Sequence, residues 1–179
     1  FFNKKFILTS NSKSRFYILK KNRLNFFRVP PKCDEELIKK QKIKEKISPK
    51  KISLCLAKNK AASISKKYYN YLVVGSDTTI DLNNKIIEKA KNIEEAKKKI
   101  KKLSGKKHKI YSSAAAYYKN KLVWKKTQQT TIKVRKLKKK EINEYLKKTN
   151  KSVLFSVGCF QIEKEGPNII ENIKGDFFN

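Results

Sequence analysis

Hydrophobic and polar positions follow helix and strand periods in turn along the first half of the chain. Apolar runs predict strands at 6–9, 25–29 and 71–75, and helical spacing predicts helices over 16–22, 35–47 and 52–62. The run Tyr71-Leu72-Val73-Val74-Gly75 is continuous and β-branched, which is typical of a strand covered on both faces. This order favours alternating strands and helices.

The second half of the chain has a different order of predicted helices and strands. Asn92 is a capping residue for a helix that ends at Gly105, and another helix is predicted over 138–148. Residues 81–86 are predicted to form a turn and an edge strand, and further strands are predicted at 110–118, 122–126, 130–134, 153–162 and 169–173. Consecutive strands joined by short turns indicate an antiparallel section, so the fold class is mixed α/β.

Net charge suggests nucleic acid as a partner, but its distribution argues against it. The 179 residues suffice for one domain or two small lobes sharing a core, and they carry a formal charge of +31. Only four basic residues are arginine, which DNA-reading proteins favour, and the lysines are spread along the whole chain. General lysine enrichment therefore explains the charge better than nucleic-acid binding, although the field should attract anionic small molecules.

The cysteines and the apolar runs indicate a cytoplasmic location. Cys33, Cys55 and Cys159 form no CxxC pair, which favours a reducing compartment over a disulfide framework or zinc site. No apolar run approaches a membrane span, and the opening 1–8 is too short and too charged for a signal peptide. The absence of an initial Met suggests trimming or a fragment.

Two segments could carry chemistry. The predicted strand–turn–helix at 8–16 brings hydroxyls, backbone N–H groups and Arg15 to a helix N-terminus, a favourable place for phosphate. Asp77 is expected just past the end of the strand at 71–75, where open α/β sheets bind ligands. Asp77 could hold Mg²⁺, take a proton from water, or simply cap the next turn.

These segments, with others in the same order, resemble the Maf family of nucleoside triphosphate pyrophosphatases. The family's Ala-Ser-x-Ser-Pro-Arg-Arg is similar to 9–15, and its Gly-Ala-Asp-Thr is similar to Gly75-Ser76-Asp77-Thr78. The other matching segments are Asp34-Glu35, Asn59-Lys60-Ala61, Glu88-Lys89-Ala90-Lys91-Asn92, Leu103-Ser104-Gly105-Lys106-Lys107-His108, 130–134, 141–146, Gly158-Cys159-Phe160-Gln161-Ile162-Glu163 and 173–179. Together they cover nearly the whole chain.

The resemblance implies cleavage of the α–β phosphoanhydride of a nucleoside triphosphate to the monophosphate and pyrophosphate. It implies a single domain over 1–179, with a mixed twisted sheet flanked by helices and two lobes around a central cleft. The family's C-terminal helix would be missing. A divalent cation, Mg²⁺ or Mn²⁺, is implied as cofactor, and a homodimer as a form the family adopts. Non-canonical or pyrimidine nucleotides are the expected substrates.

Site residues follow from the same resemblance. Asp77 would be the general base or the carboxylate that organises the metal, and Glu35 would assist with the metal. The triphosphate would be lined by Ser10, Ser12, Arg15, Lys60 and Lys89. The family's functional glutamine corresponds either to Gln161 by identity or to Glu163 by spacing.

Departures from the family pattern leave an alternative open. Lys13-Ser14-Arg15 stands where the family has Pro-Arg-Arg, so one arginine is absent, and Ala90 and Asn92 replace the Pro and Asp of the family's Lys-Pro-x-Asp. The alternative is a catalytically weakened basic protein on the same scaffold that binds nucleic acid or acts in cell division.

Other conspicuous residues are expected to be structural. His108 has no neighbouring ligands in the sequence, so we expect it to be structural. Cys159 has no His close by, so we expect it to be a small buried hydrophobic residue. Trp124 and the pair Tyr117-Tyr118 could stack a base, but their strand positions favour packing in the core or on the sheet face.

Overall fold

The computed structural model describes residues 5–160 and 165–176. The chain forms two compact units, one of residues 1–77 and 112–127 and the other of residues 78–111 and 128–179. The predicted site residues Gln161 and Glu163 lie outside the described residues.

The first unit is built from strands followed by helices. Its elements are β1 (Phe6–Thr9), α1 (Lys13–Lys21), β2 (Phe26–Arg28), α2 (Glu35–Lys44), α3 (Pro49–Ser65) and the beginning of β3 (Val73–Leu82). β1 pairs in parallel with both β2 and β3, and Thr9 lies opposite Gly75 in that register. Ile7, Ala61, Ile64 and Val73 form a buried cluster in this unit.

The second unit contains the larger cluster of buried apolar side chains. Its elements are the end of β3, β4 (Lys85–Ile87), α4 (Ile93–Leu103), parts of β5 (Lys107–Tyr118) and β6 (Lys121–Val134), α5 (Lys139–Thr149) and β7 (Ile170–Gly175). Ile80, Ile100, Ile132 and Tyr145 belong to this cluster. β3 pairs antiparallel with β4, and β6 pairs antiparallel with β7.

In the described part of the chain, seven strands make one mixed sheet, in the order β2-β1-β3-β5-β6-β7 with β4 paired to β3. The α-helices named above stand between these strands in the chain. The predicted mixed α/β class, with an antiparallel section in the second half, is therefore confirmed.

Three predictions of local structure are wrong. β3 does not end at Gly75 but continues to Leu82, because Thr78, Thr79 and Ile80 are β-branched and the chain turns only at Asn83-Asn84, where both φ angles are positive. The strands predicted at 122–126 and 130–134 are one strand, β6. The segment Asn150–Phe155 is a 3₁₀ helix instead of the start of a strand.

Two single residues that were expected to be structural are buried. His108 is 2% exposed and its ring lies 5.6 Å from that of Phe160, and Cys159 is fully buried. Of the two positions expected for Trp124, the core is wrong, since that side chain is 50% exposed on β6. Among the described residues, no helix is long and apolar enough to cross a membrane.

Candidate active site

The loop between β1 and α1 gathers polar groups at the start of a helix. Ser12 is the N-cap of α1, and its hydroxyl accepts a hydrogen bond from the backbone N–H of Arg15 at 3.3 Å. The Ser10 hydroxyl oxygen accepts two hydrogen bonds, one from the Ser12 N–H at 3.2 Å and one from Arg15 Nη1 at 3.3 Å. Ser10 is 2% exposed, so its hydroxyl is held in one place between two donors. We call Ser10–Arg15 the Ser-Arg loop.

A buried lysine joins two carboxylates in the same unit. Lys60 Nζ lies 2.8 Å from Asp77 Oδ1 and 2.8 Å from Glu35 Oε2, and it also donates to the Ser76 carbonyl at 3.4 Å. The Lys60 side chain is 6% exposed, whereas Asp77 is 13% and Glu35 37% exposed. One buried ammonium therefore pairs with two carboxylates, which leaves the group a formal charge of −1, and Glu35 forms its solvent-facing side. We call these three residues the carboxylate–lysine cluster.

Packing of α3 on β3 brings the cluster together. Gly75 and Asp77 are two residues apart on β3, so they share a face of the strand. A Cβ at Gly75 would lie 2.2 Å from the Ala57 carbonyl oxygen and 2.7 Å from the Ala61 nitrogen, both in α3. Only glycine allows this approach, which places Lys60 beside Asp77.

Glu35 reaches the cluster because α2 begins at that residue. Asp34 is the N-cap of α2, and its side chain accepts a hydrogen bond from the Leu37 N–H at 2.9 Å. The two neighbouring acids therefore have different tasks. Asp34 fixes the start of the helix, and Glu35 contacts Lys60.

Electrostatics connect the Ser-Arg loop to the carboxylate–lysine cluster. Burial lowers the pKa of the Arg15 guanidinium from its ordinary value, while the negative charges of Asp77 and Glu35 oppose that shift. Arginine nevertheless keeps its charge at neutral pH. Two cations, two carboxylates and two serine hydroxyls are thus combined, a set that can hold polyanions and polarise water.

Comparison with known proteins gives the family. The family model described as "Maf-like protein" matches residues 5–179. A relative from Pelagibacter ubique named nucleoside triphosphate pyrophosphatase is 36% identical over 97% of this chain and 89% of its own length. A relative from Bartonella henselae named 7-methyl-GTP pyrophosphatase is 38% identical over 96% of this chain and 86% of its own length. The chain belongs to the Maf-like family.

A third relative agrees with the other two. The protein from Caulobacter vibrioides named nucleoside triphosphate pyrophosphatase is 32% identical over 96% of this chain and 85% of its own length. These matches span almost the whole Maf-like chain, so they include both the Ser-Arg loop and the carboxylate–lysine cluster.

The predicted site residues are divided between the two units. The first unit of this Maf-like chain contains six of them, which are connected by the contacts above: Ser10, Ser12, Arg15, Glu35, Lys60 and Asp77. Lys89 falls in the second unit, where its backbone carbonyl accepts a hydrogen bond from Lys99 Nζ at 2.6 Å. Its role, like that of Gln161 or Glu163, stays a prediction.

Sequence reasoning missed two residues next to the site. Arg28, the last residue of β2, donates hydrogen bonds to the backbone of the Ser-Arg loop. Cys33 lies near Glu35, and burial, with the Glu35 charge, raises the pKa of its thiol. The scarcity of arginine was a usable signal for Arg28, since one of only four arginines in the chain lies within a predicted apolar strand there.

Proposed function

We propose that this Maf-like protein hydrolyses nucleoside triphosphates at the α–β phosphoanhydride and releases the monophosphate and pyrophosphate. It is thus a pyrophosphate-releasing hydrolase, a nucleoside triphosphate diphosphatase, like the relatives named above. The observation that carries the proposal is the arrangement of Lys60, which contacts Asp77 and Glu35 at 2.8 Å each, beside the Ser-Arg loop. Polyphosphate chemistry needs this combination of cations to hold the chain and carboxylates to direct water.

The Ser-Arg loop is suited to the triphosphate. It includes the N-terminus of α1, which carries partial positive charge and contains no acidic residue in its first turn. The Ser10 hydroxyl oxygen already accepts from the Ser12 N–H and from Arg15. Its own proton is therefore directed elsewhere and can be donated to a phosphate oxygen. Arg15 supplies a permanent charge at the same place.

Glu35 and Asp77 fit a divalent cation. Both carboxylates lie within hydrogen-bonding distance of one Nζ atom, so they converge on one point. Within the described part of the chain, no group of three or more His, Cys, Asp or Glu side chains converges as a metal cage. Mg²⁺ commonly uses one or two carboxylates and completes its shell with water and substrate phosphates. Two carboxylates are therefore the donor set expected for Mg²⁺ or Mn²⁺ in a nucleotide site.

Asp77 is the residue best placed to direct the attacking water. A divalent cation would neutralise charge on the phosphates and make water more acidic. Asp77 accepts the water proton or orients the water, and Lys60 holds the Asp77 carboxylate by the 2.8 Å contact. Glu35, being the more exposed acid, is accessible to an incoming cation.

The substrate class is a finer part of the proposal. Non-canonical or pyrimidine nucleotides are proposed as substrates, and the relative named 7-methyl-GTP pyrophosphatase supports including modified guanosine triphosphates. Lys89 and either Gln161 or Glu163 are proposed as further substrate-binding residues. A cytoplasmic location and a homodimer remain part of the proposal, and light scattering after size-exclusion chromatography tests the dimer.

Product analysis tests the proposed reaction. The protein is incubated with standard nucleotides, dTTP, UTP, 7-methyl-GTP and modified pyrimidine triphosphates, with Mg²⁺, Mn²⁺ or EDTA. Pyrophosphate and monophosphate in equal amounts, only with metal, support the proposal and rank the substrates. Orthophosphate and diphosphate as products contradict it. Absence of turnover, together with salt-dependent duplex DNA binding that Asp77→Asn leaves unchanged, favours the basic nucleic-acid-binding alternative.

A further inference from the structure

Arg28 contacts the Ser-Arg loop from the neighbouring strand. It ends β2 and lies opposite Leu8 in the parallel register with β1, and the next residue, Val29, donates its N–H to the Leu8 carbonyl at 3.1 Å. The Arg28 side chain therefore starts beside the end of β1. From there it reaches the residues that lead from β1 into α1.

A single guanidinium joins two consecutive carbonyls of that loop. Arg28 Nε donates to the Ser10 carbonyl at 2.9 Å, and Nη2 donates to the Asn11 carbonyl at 2.9 Å. The Arg28 guanidinium carbon also lies 5.9 Å from the ring centroid of Phe16, in the first turn of α1. Arg28 thus touches the loop at its beginning and the helix that follows it.

The two hydrogen bonds fix the direction of the loop's peptide groups. In a trans peptide the C=O and the N–H point in opposite directions. Holding the Ser10 and Asn11 carbonyls on Arg28 therefore turns the N–H groups of Asn11 and Ser12 away from it. The Ser12 N–H donates to the Ser10 hydroxyl oxygen, which also accepts a hydrogen bond from Arg15 Nη1. The orientation of the Ser10 hydroxyl and the Arg15 side chain, which are proposed to bind phosphate, therefore depends on the peptide groups that Arg28 holds.

We propose that Arg28 is a positioning residue for triphosphate binding, which acts by holding the backbone of the Ser-Arg loop. This inference rests on the proposed function, in which that loop receives the triphosphate. The guanidinium is needed because its planar fork reaches two carbonyls at once, whereas a lysine ammonium is a single point donor on a flexible stem. Arg28 contributes mainly to substrate affinity, and the chemical step depends on the carboxylate–lysine cluster.

The chain offers a matched control. Arg23 is an exposed arginine in the turn between α1 and β2, close to Arg28 in sequence. Arg23→Ala removes one positive charge from the same unit and leaves the hydrogen bonds to the loop carbonyls in place. Comparing Arg28→Ala with Arg23→Ala separates the local contact from the general attraction of a chain with formal charge +31.

The experiment measures KM and kcat for pyrophosphate release, and the Kd of a non-hydrolysable α,β-methylene triphosphate by calorimetry. Because hydrogen bonds to charged groups are stronger than neutral ones, Arg28→Ala should raise KM and Kd roughly tenfold or more, and kcat should change less than about threefold. Arg23→Ala should stay within about twofold of the unchanged protein. Arg28→Lys should resemble Arg28→Ala, and added guanidinium ion should lower KM for Arg28→Ala only.

Each other result has a definite meaning. If the unsubstituted protein hydrolyses the nucleotide, and Arg28→Ala has the same KM and Kd as Arg23→Ala, the inference is overturned and the proposed function stands. If the unchanged protein neither turns over nor binds the analogue, the proposed function fails and this inference falls with it. If it binds without turnover, the Kd comparison still decides the role of Arg28. Thermal unfolding is followed for all variants, and Arg28→Lys decides the question if Arg28→Ala does not fold.

Discussion

Gly75 on β3 lies against the backbone of Ala57 on α3 so closely that a Cβ would come within 2.2 Å of the Ala57 carbonyl oxygen. The contact is with backbone, which cannot rotate away as a side chain can. It sets the separation of strand and helix at the level of Lys60 and Asp77. The glycine of the Gly-Ser-Asp-Thr segment is therefore a packing requirement of the candidate site.

Gly75→Ala should damage both stability and activity. Overpacking of a tight contact destabilises by about 1–3 kcal/mol, and the displacement of α3 would disturb the 2.8 Å contact of Lys60 with Asp77. We expect a lower unfolding temperature and a loss of turnover, measured by calorimetry and pyrophosphate release. Ser76→Ala is the control, because Lys60 contacts the Ser76 carbonyl and not its side chain. Equal stability and activity for Gly75→Ala and Ser76→Ala would refute this explanation.

Local chemistry made the Ser-Arg loop predictable from sequence. The polar turn 10–15 was expected to contain helix-capping residues, and Ser12 is the N-cap of α1, although the helix begins at Lys13 and not at the predicted Phe16. Asn92 and Gly105 bound α4 for the same reason, since the Asn92 side chain accepts the Glu95 N–H and Gly105 has a φ of +70°. Such signals are read within four residues and do not depend on the rest of the fold.

Tertiary contacts could not be predicted from the pattern of hydrophobic and polar residues. Ser76 and Asp77 are typical turn residues, yet they lie within β3 because the β-branched residues after them continue the strand. Lys60 meets Glu35 and Asp77 only because α2, α3 and β3 pack together, and family resemblance rather than periodicity pointed to these three. Val153 and Leu154 look like strand residues but form a 3₁₀ helix that contacts α4 and α5.

Glu35→Gln should weaken metal binding and turnover. It keeps the size of the side chain but removes one of the two carboxylates that converge on Lys60 Nζ. We expect a rise in the Kd for Mn²⁺ and a fall in kcat of about a hundredfold, on the scale of lost metal-site groups. Mn²⁺ binding is measured by electron paramagnetic resonance, independently of activity. Glu36→Gln, one residue further in the same helix turn, should change neither, and equal effects of the two variants would rule out a specific role for Glu35.

Lys60→Ala should separate metal binding from catalysis. The ammonium lies between the two carboxylates that are proposed to hold the cation, so its removal should leave the Kd for Mn²⁺ unchanged or lower it. Turnover should nevertheless be lost, because Lys60 orients Asp77 and neutralises charge near the substrate. Lys58→Ala on the same helix serves as the control. A large rise in the Mn²⁺ Kd for Lys60→Ala would contradict this assignment.

His108 should make the stability of the protein decline in mild acid. Burial lowers the pKa of His108 to about 4, from an ordinary value of 6.5. Above pH 6.5 the ring is neutral in both the folded and unfolded states, so the full stability is present. As the pH falls from 6.5 towards 4, the unfolded state takes up the proton first, and up to about 3 kcal/mol of the free energy of unfolding is lost.

The pH dependence is measured by urea unfolding between pH 4 and pH 8. His108→Phe removes the titrating group and should flatten the decline over that range, even if it changes the stability at pH 8. The aromatic neighbour Phe160 offers a surface on which another ring can pack. An unchanged pH dependence in His108→Phe would mean that other groups cause the decline.

The central claim is that Asp77 directs metal-dependent cleavage of nucleoside triphosphates, and its most direct test is pyrophosphate release by Asp77→Asn. Asp34→Asn is the matched control, since Asn also caps a helix and the same charge is removed next to Glu35. With Mg²⁺ and the best substrate, we predict that Asp34→Asn keeps kcat within about threefold and Asp77→Asn loses it by about a hundredfold or more, with both variants folded. Pyrophosphate release by Asp77→Asn at the rate of Asp34→Asn would contradict the account.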